Sequence, residues 1–212
     1  MQGAGGPSRD GCLHAPLLLL ATSKRRRHLF TLEQFIADCR AAVAEDASPK
    51  AVGNVVARAV SDPTSILKEL GAPQRAAVQK LYQADDLTIL NVIWGPRMTV
   101  MPHNHNMWAA IGIYTGREDN ILWRRVPDEP SGRIDAAGAT ALSERDVLPL
   151  GRDIIHSVTN PIGRLTGAIH VYGGDYFRVP RSEWAPERLV EQPGDVQRTL
   201  QLFEESNRLY AV

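Results

Sequence analysis

The sequence predicts a mainly β fold in which helices come first, a β-sandwich or β-barrel follows, and one helix ends the chain. Apolar residues recur at helical spacing between residues 31 and 71. From residue 87 to about residue 177, short β-branched runs alternate with turn residues. Helical spacing returns over residues 195–210. Many short strands separated by turns are typical of sandwiches and barrels.

The composition indicates one globular domain. The chain has 212 residues with 24 Lys plus Arg and 24 Asp plus Glu, so its formal net charge is zero, which argues against a general nucleic-acid binder. The 43% hydrophobic content excludes wholesale disorder. Two cysteines cannot form a disulfide framework, which favours a reducing compartment. Cys39 falls on an apolar helical stripe, so we expect a small buried hydrophobe rather than a nucleophile.

Residues 1–29 differ from the rest of the chain. A leucine run there precedes a basic cluster, the reverse of the order in a secretory signal. We expect a disordered extension, with a targeting or membrane-surface segment as the alternative. No apolar run reaches the roughly 18 residues of a membrane span. We therefore predict a cytoplasmic protein without a membrane or nucleic-acid partner.

The remaining residues, 30–212, are predicted to form a single domain. It divides into N-terminal helices (30–84), a barrel (85–180) and a C-terminal segment with a helix (181–212). Thr31 begins a capping box, and Ser48 and Asp62, each followed by proline, are typical helix starts. Gly71 fits a helix end. We expect a further helical piece over residues 74–82.

The predicted barrel contains several strand-like runs. They cover residues 87–94, 107–114, 120–126 and 165–172, and residues 127–138 have the composition of a loop. Three tryptophans in this region are expected to line the core or a pocket: Trp94, Trp108 and Trp123. The last helix is expected to dock through Leu200, Phe203 and Leu209.

Histidines mark the candidate chemistry. Residues 102–105 read Pro-His-Asn-His. In an extended segment, His103 and His105 share one face with Cα atoms about 6.6 Å apart, while Asn104 points away. Two imidazoles can converge from there on one ion at about 2.1 Å. The pattern predicts a metal site, although a pair of histidines at this spacing also arises by chance.

The surroundings of these histidines resemble the two motifs of the cupin superfamily. The first motif has His-x-His with a later glutamate and glycine, and the second has Pro-x-Gly, then His, then Asn. The resemblance implies a double-stranded β-helix, or jelly-roll, barrel. Asn160 either holds the loop after the second motif or caps a turn. The matching positions are His105, Ala109, Gly116, residues 149–151, His156 and Asn160.

Ala109 stands where the cupin motif has its glutamate. The resemblance therefore implies a ligand set of His103, His105 and His156 without a carboxylate. Three neutral ligands leave a divalent ion its full charge, which favours an anionic substrate ligand such as a thiolate. Imidazole suits Fe, Zn, Cu and Ni alike.

A second resemblance narrows the family. Residues 168–172 read Ala-Ile-His-Val-Tyr and resemble the Ser-x-His-x-Tyr segment of the thiol dioxygenases, the cysteine dioxygenase and 3-mercaptopropionate dioxygenase group. The resemblance implies that His170 orients Tyr172, whose hydroxyl reaches toward ligands of a three-histidine iron. Ala168 replaces the serine, which puts the tuning of Tyr172 in question. The thioether-forming cysteine of the family has no counterpart.

The resemblance implies an Fe(2+)-dependent thiol dioxygenase that uses O₂ to oxidise a small thiol to its sulfinate. The sequence leaves the oligomeric state open between monomer and homodimer. Ni or Zn is an alternative metal in the purified protein. The other functions considered are a cupin that cleaves a carbon–carbon bond in a diketone and a non-catalytic metal- or small-molecule-binding module. Oxygen uptake with a thiol distinguishes the first from both.

The expected substrate-binding arginine is absent from its usual place. Family members that oxidise thiol carboxylic acids hold the carboxylate with an arginine near the position of residues 81–84, which here read Leu-Tyr-Gln-Ala. Another cation is expected to replace it or to lie only on the surface. The candidates are Lys80, Arg97, Arg117, Arg124 and Arg125.

Overall fold

A computed structural model of the chain describes residues 29–210, which form two antiparallel sheets with helices packed mainly against one of them. The expected extension, residues 1–29, lies outside the described residues except for Leu29. The helices are α1 (Leu32–Glu45), α2 (Pro49–Val60), α3 (Pro63–Leu70) and α4 (Val196–Tyr210). The strands are β1 (Ala77–Gln83), β2 (Thr88–Trp94), β3 (Thr99–Asn104), β4 (Ala109–Thr115), β5 (Arg117–Arg125), β6 (Ile134–Ser143), β7 (Val147–Leu150), β8 (Ile155–Thr159), β9 (Thr166–Tyr172), β10 (Ser182–Trp184) and β11 (Glu191–Pro193).

The pairing of eight consecutive strands identifies the fold. β2 pairs with β9, β3 with β8, β4 with β7 and β5 with β6, all antiparallel, so the chain forms nested pairs. The pairs fall into two sheets, with strand orders β1-β2-β9-β4-β7 and β11-β10-β3-β8-β5-β6. This is the double-sheet jelly roll. The predicted mainly β class with flanking helices is therefore confirmed.

The inner strands β2 and β9 are buried on both faces of their sheet. Every residue of β2 and β9 is buried, because one face lines the barrel interior and the other packs against the N-terminal helices. α2 comes closest at Gly112, where an added Cβ would lie 2.3 Å from Val56 Cγ1. The usual alternation of apolar and polar residues is therefore lost in these strands.

The starts of the three N-terminal helices follow from their capping residues. The side chains of Thr31, Ser48 and Asp62 each accept a hydrogen bond from a backbone N–H three residues later. Gly71 follows α3 with φ +83°, a conformation that favours glycine. Cys39 is fully buried, and burial raises the pKa of its thiol to about 12, as expected for a core cysteine rather than a nucleophile.

Two sequence predictions for local structure are wrong. Residues 74–82 were expected to be helical, but β1 lies there and pairs with β2, which satisfies its backbone groups through a ladder. A run this short fits helix and strand patterns equally well, so periodicity cannot distinguish them. The expected loop over residues 127–138 is shorter, because β6 begins at Ile134, whose side chain is fully buried in a cluster with Trp184.

The C-terminal helix α4 covers one side of the barrel. Phe203 stacks on Trp94 with ring centroids 5.4 Å apart. Asn207 accepts from the Ala76 N–H at 2.7 Å and donates to the Ala76 carbonyl at 3.0 Å, which fixes the helix to the chain before β1. Leu209, expected to dock, is 79% exposed instead. Of the helices within residues 29–210, none is long and apolar enough to cross a membrane.

Candidate metal centre

Three histidines converge inside the barrel. His103 lies on β3, His105 follows that strand, and His156 lies on β8 directly opposite His103. One ring nitrogen from each lies within 4.8 Å of the others. The register of β3 against β8 shifts between Val100 and His103, and such irregularities re-aim side chains. Strand pairing and this irregularity thus bring together the residues predicted from the sequence.

Hydrogen bonds leave the metal-binding nitrogens free. His103 Nδ1 lies 2.9 Å from the Met101 carbonyl oxygen, and His156 Nδ1 lies 2.7 Å from Asn120 Oδ1. Both partners accept, so each Nδ1 donates and each Nε2 keeps its lone pair. His156 Nε2 lies 3.5 Å from His105 Nε2. In metal sites, a hydrogen bond from one ring nitrogen of a histidine commonly fixes the tautomer, so that the second ring nitrogen can bind the metal. His103 and His156 have this arrangement.

Burial keeps the three imidazoles neutral. It lowers the pKa of His103 to about 4, although the Met101 carbonyl opposes the shift. Burial likewise lowers the pKa of His105 and of His156 well below the ordinary value, and repulsion from the neighbouring histidines adds to it. Metal ions bind the neutral form of imidazole. The cluster is therefore in its binding form at neutral pH.

The donor set fits a divalent transition metal. Within residues 29–210, the group of potential ligands contains only the three histidines. Ala109, in the place of the cupin glutamate, is fully buried on β4 opposite Tyr172. Three imidazoles suit Fe, Zn, Cu or Ni, and three protein ligands leave coordination positions for other molecules. The arrangement can hold an ion and keep part of its surface open.

His170 and Tyr172 lie beside this cluster. His170 Nδ1 is 3.0 Å from the Tyr172 hydroxyl, and both side chains are 3% exposed. The Tyr172 ring centroid is 5.0 Å from that of His105. Burial raises the pKa of Tyr172 well above 10, so its hydroxyl keeps its proton. His170 Nε2 lies 3.6 Å from Glu118 Oε2, which is too far for a hydrogen bond.

A small cavity of about 30 Å³ adjoins the five residues. Its wall is mostly apolar, and α4 contributes Thr199 and Phe203 to it. The predicted tryptophan wall is present at Trp94. A mostly apolar lining with a few polar side chains is typical of a small-ligand site. The remaining lining residues are Val78, Leu90, Val92, Val100, Val158 and Tyr176.

The cation next to the centre is one that the sequence did not single out. The Arg181 guanidinium lies 3.9 Å from the Tyr176 ring centroid. Arg181 lines a second small cavity, about 20 Å³, that shares His103 and Tyr176 with the first. β10 brings Arg181 there, because Glu183 pairs with His103 across the sheet. No spacing in the sequence signals this contact.

The cations proposed from the sequence lie elsewhere. Arg117 pairs with Asp119, Arg125 pairs with Glu191, and Lys80 donates to Gln83 at 2.8 Å. Arg97 and Arg124 are exposed and line neither cavity.

Two asparagines of the motifs have structural partners. Asn160 is fully buried and donates to the carbonyls of Gly95 and Arg164, each at 2.8 Å, so it holds the loop after β8 against the end of β2. Asn104 Oδ1 accepts from the Ser182 N–H at 2.8 Å, so it points away from the histidines, as predicted.

Comparisons with solved structures give partial matches of low identity. No protein-family model matches the sequence. One similar structure is a cupin-family protein with a double-stranded β-helix from Methanocaldococcus jannaschii, with 12% identity, a TM-score of 0.40 and coverage of 50% of this chain and 86% of that chain. A cupin domain of Cnp3 from Schizosaccharomyces pombe has 9% identity, a TM-score of 0.38 and coverage of 50% and 69%.

A third similar structure is the oxalate decarboxylase of Bacillus subtilis, studied for its Mn(II) centres. It has 14% identity and a TM-score of 0.35, and the match covers 43% of this chain and 22% of that longer chain.

Proposed function

We propose that the protein is an Fe(II)-dependent thiol dioxygenase that converts a small thiol, R–SH, and O₂ into the sulfinic acid, R–SO₂H. Both oxygen atoms add to sulfur, which loses four electrons as O₂ gains four, so no further reductant is needed. The observation that carries the proposal is the three-imidazole cluster, without a carboxylate, beside the hydrogen-bonded pair of His170 and Tyr172 in one small cavity.

The three histidines His103, His105 and His156 would hold the iron. Bound Fe(II) supplies open coordination positions and the redox chemistry that brings a thiolate and O₂ together. The neutral imidazoles add no negative charge, so the site favours an anionic ligand. Because the walls are apolar, a thiolate that enters loses its bound water, and its attraction to the metal ion would replace that hydration.

Tyr172 and His170 would position the reactants. The Tyr172 hydroxyl lies 3.0 Å from His170 Nδ1 and adjacent to the His105 ring, so its oxygen can accept a hydrogen bond from a substrate group or a water near the histidines. Trp94 and Phe203 stack on each other in the wall of the same cavity and add apolar surface to it. A hydrogen bond made in such an environment is stronger than one made in water.

Arg181 would bind the acidic group of the substrate. It has no acidic partner within 4.0 Å among residues 29–210, whereas Arg117 and Arg125 have one. Its side chain is half-buried, and its charge lies close enough to His103 and His105 to lower their pKa values. A guanidinium in this position favours a thiol that carries a carboxylate.

The test is oxygen uptake by Fe(II)-loaded protein with cysteine, 3-mercaptopropionate, mercaptosuccinate and cysteamine, with the products identified by NMR. We expect uptake with an acidic thiol and one sulfinate formed per O₂ consumed. Loaded protein that consumes no O₂ with any thiol would contradict the proposal. Uptake with a diketone alone would indicate carbon–carbon cleavage, and ligand binding without turnover would indicate a non-catalytic module.

A further inference from the structure

A buried carboxylate lies behind the histidine cluster. Glu118, on β5, is 0% exposed. Its Oε2 accepts from Trp94 Nε1 at 2.7 Å, and its Oε1 accepts from the Asn120 amide at 3.0 Å. Among residues 29–210, the only basic side chain within 4.0 Å of it is His170. Burying a carboxylate without lysine or arginine is costly, so the contacts that it makes with the site must offset that cost.

The first contact fixes the tautomer of a candidate ligand. A carboxylate only accepts hydrogen bonds, so Asn120 must turn its NH₂ group toward Glu118 and its oxygen toward His156. That oxygen also only accepts, so His156 Nδ1 must carry the proton. His156 Nε2 is then left with a lone pair directed at the cluster. The carboxylate therefore selects, through one amide, the tautomer that binds a metal.

The second contact fixes the direction of a hydroxyl. His170 Nε2 lies 3.6 Å from Glu118 Oε2 and has no hydrogen-bond partner among residues 29–210. At this distance a proton on Nε2 is attracted to the carboxylate, whereas a lone pair is repelled. With the proton on Nε2, His170 Nδ1 accepts, and the Tyr172 hydroxyl, 3.0 Å away, donates to it. The free lone pairs of the tyrosine oxygen are then available to a ligand.

We propose that Glu118 is a positioning residue for both parts of the site. Through Asn120 it holds His156 in the metal-binding tautomer, and through His170 it aims the Tyr172 hydroxyl. This inference rests on the metal site of the proposed function but is independent of the reaction that the metal supports.

The test compares three variants with the wild type by Zn²⁺ affinity, from competition with a chromophoric chelator, and by the absorption spectrum of bound Co²⁺. In Glu118→Gln, the new amide oxygen still accepts from the Trp94 N–H, so the new NH₂ group faces the NH₂ group of Asn120. Two donors cannot form a hydrogen bond, so the Asn120 amide must rotate by 180°. His156 then carries its proton on Nε2. We expect Zn²⁺ affinity to fall roughly 10- to 100-fold, the range for loss of a hydrogen-bond partner of a metal ligand. We also expect the Co²⁺ spectrum to change.

The double variant Glu118→Gln/Asn120→Asp restores the order of donors and acceptors. The amide introduced at position 118 then donates to the carboxylate introduced at position 120, and the second oxygen of that carboxylate accepts from His156 Nδ1. We expect this variant to regain most of the affinity and the wild-type Co²⁺ spectrum. The matched control is Asp175→Asn, which removes a carboxylate that is 6% exposed, accepts from Gln83 at 2.9 Å and does not line the histidine cavity. It should bind Zn²⁺ like the wild type.

Each outcome bears on the inference. A folded Glu118→Gln variant with unchanged Zn²⁺ affinity and Co²⁺ spectrum would overturn it. If Glu118→Gln does not fold, the double variant becomes the test. A folded double variant that binds Zn²⁺ as weakly as His156→Ala would then overturn the inference. Wild-type protein that binds Zn²⁺ but oxidises no thiol would remove the proposed reaction and leave the role of Glu118 intact. Wild-type protein that binds no metal would overturn both.

Discussion

His103 and His156 are paired directly across β3 and β8, with ring centroids 4.7 Å apart. The backbone register of the two strands therefore sets the separation of two candidate ligands before any ion binds. His105, beyond the end of β3, completes the group. A site built on paired strands is held more rigidly than one built on loops. The cluster is accordingly preorganised, and its properties can be tested one residue at a time.

Replacing His156 with alanine should abolish stoichiometric metal binding. The change removes one of three imidazoles and leaves the Asn120 oxygen without its donor. We expect metal affinity to fall by more than the roughly 10- to 100-fold that is typical when a hydrogen-bond partner of a metal ligand is lost. Metal analysis after equilibrium dialysis measures this change. Asn104→Ala, between His103 and His105 in the chain but directed at Ser182, should retain the metal. Full metal retention in His156→Ala would refute the ligand assignment.

Replacing Tyr172 with phenylalanine should separate metal binding from turnover. The ring contacts with His105 and Tyr176, at 5.0 and 4.5 Å, remain, and only the hydroxyl is lost. We expect unchanged metal content and a fall in kcat for thiol oxidation of roughly 10- to 100-fold, from loss of one positioned hydrogen bond. Tyr114→Phe, which removes a buried hydroxyl that donates to Asn91 elsewhere, is the control. Equal activity in both variants would exclude a role for the Tyr172 hydroxyl.

The metal-free protein should lose stability as the pH falls from about 6.5 to about 4. Burial lowers the pKa of His103 to about 4 in the folded state, against an ordinary value of 6.5. In this window the unfolded chain binds a proton that the folded chain does not, so the free energy of unfolding decreases. Above the window both states are deprotonated, and this contribution is constant. Buried His105 and His156 act in the same direction.

Urea unfolding at a series of pH values measures this effect. His103→Gln should show a shallower decline of the unfolding free energy between pH 6.5 and 4 than the wild type. Asp175 and Glu191, whose carboxyl pKa values are also lowered, are present in both proteins, so their contributions cancel in the comparison. Identical pH profiles for the two proteins would show that His103 is not buried in its neutral form.

Replacing Arg181 with glutamine should change substrate preference. A charge-assisted hydrogen bond contributes about 1.5–3 kcal/mol, so KM for 3-mercaptopropionate should rise roughly 10- to 100-fold. Cysteamine has no carboxylate, and its KM should stay the same or fall. Arg97→Gln, on an exposed side chain outside both cavities, should alter neither value. Equal effects on the two thiols would assign Arg181 a purely structural role.

The residues that carry the candidate site were largely predictable, because they are close in sequence or fall in compact motifs. His103 and His105 are two residues apart, as are His170 and Tyr172, and alternation along a strand places each pair on one face. The jelly roll could be anticipated from the strand-like runs and the two motifs. The nested pairing that defines the fold, however, depends on contacts between distant segments, which spacing alone does not encode.

Glu118 and Arg181 could not be predicted for a physical reason. Glu118 stands between Arg117 and Asp119, and charged residues in such a run are usually solvated. Glu118 is buried because it lies on the face of β5 that points into the barrel, as does Asn120 two residues later. Arg181 approaches the cluster only because β10 pairs with β3. Both contacts arise from the sheet arrangement and leave no local pattern.

Strand β9 carries the candidate chemistry on one face and the packing of the N-terminal helices on the other. His170 and Tyr172 face the cavity, while Ile169 and Val171 pack in the cluster with α1 and α2. Deleting or inserting one residue in the strand would exchange the two faces and place polar rings in an apolar layer. Natural length variation should therefore be confined to the connections outside β9, whereas substitutions that keep size and polarity are tolerated within it.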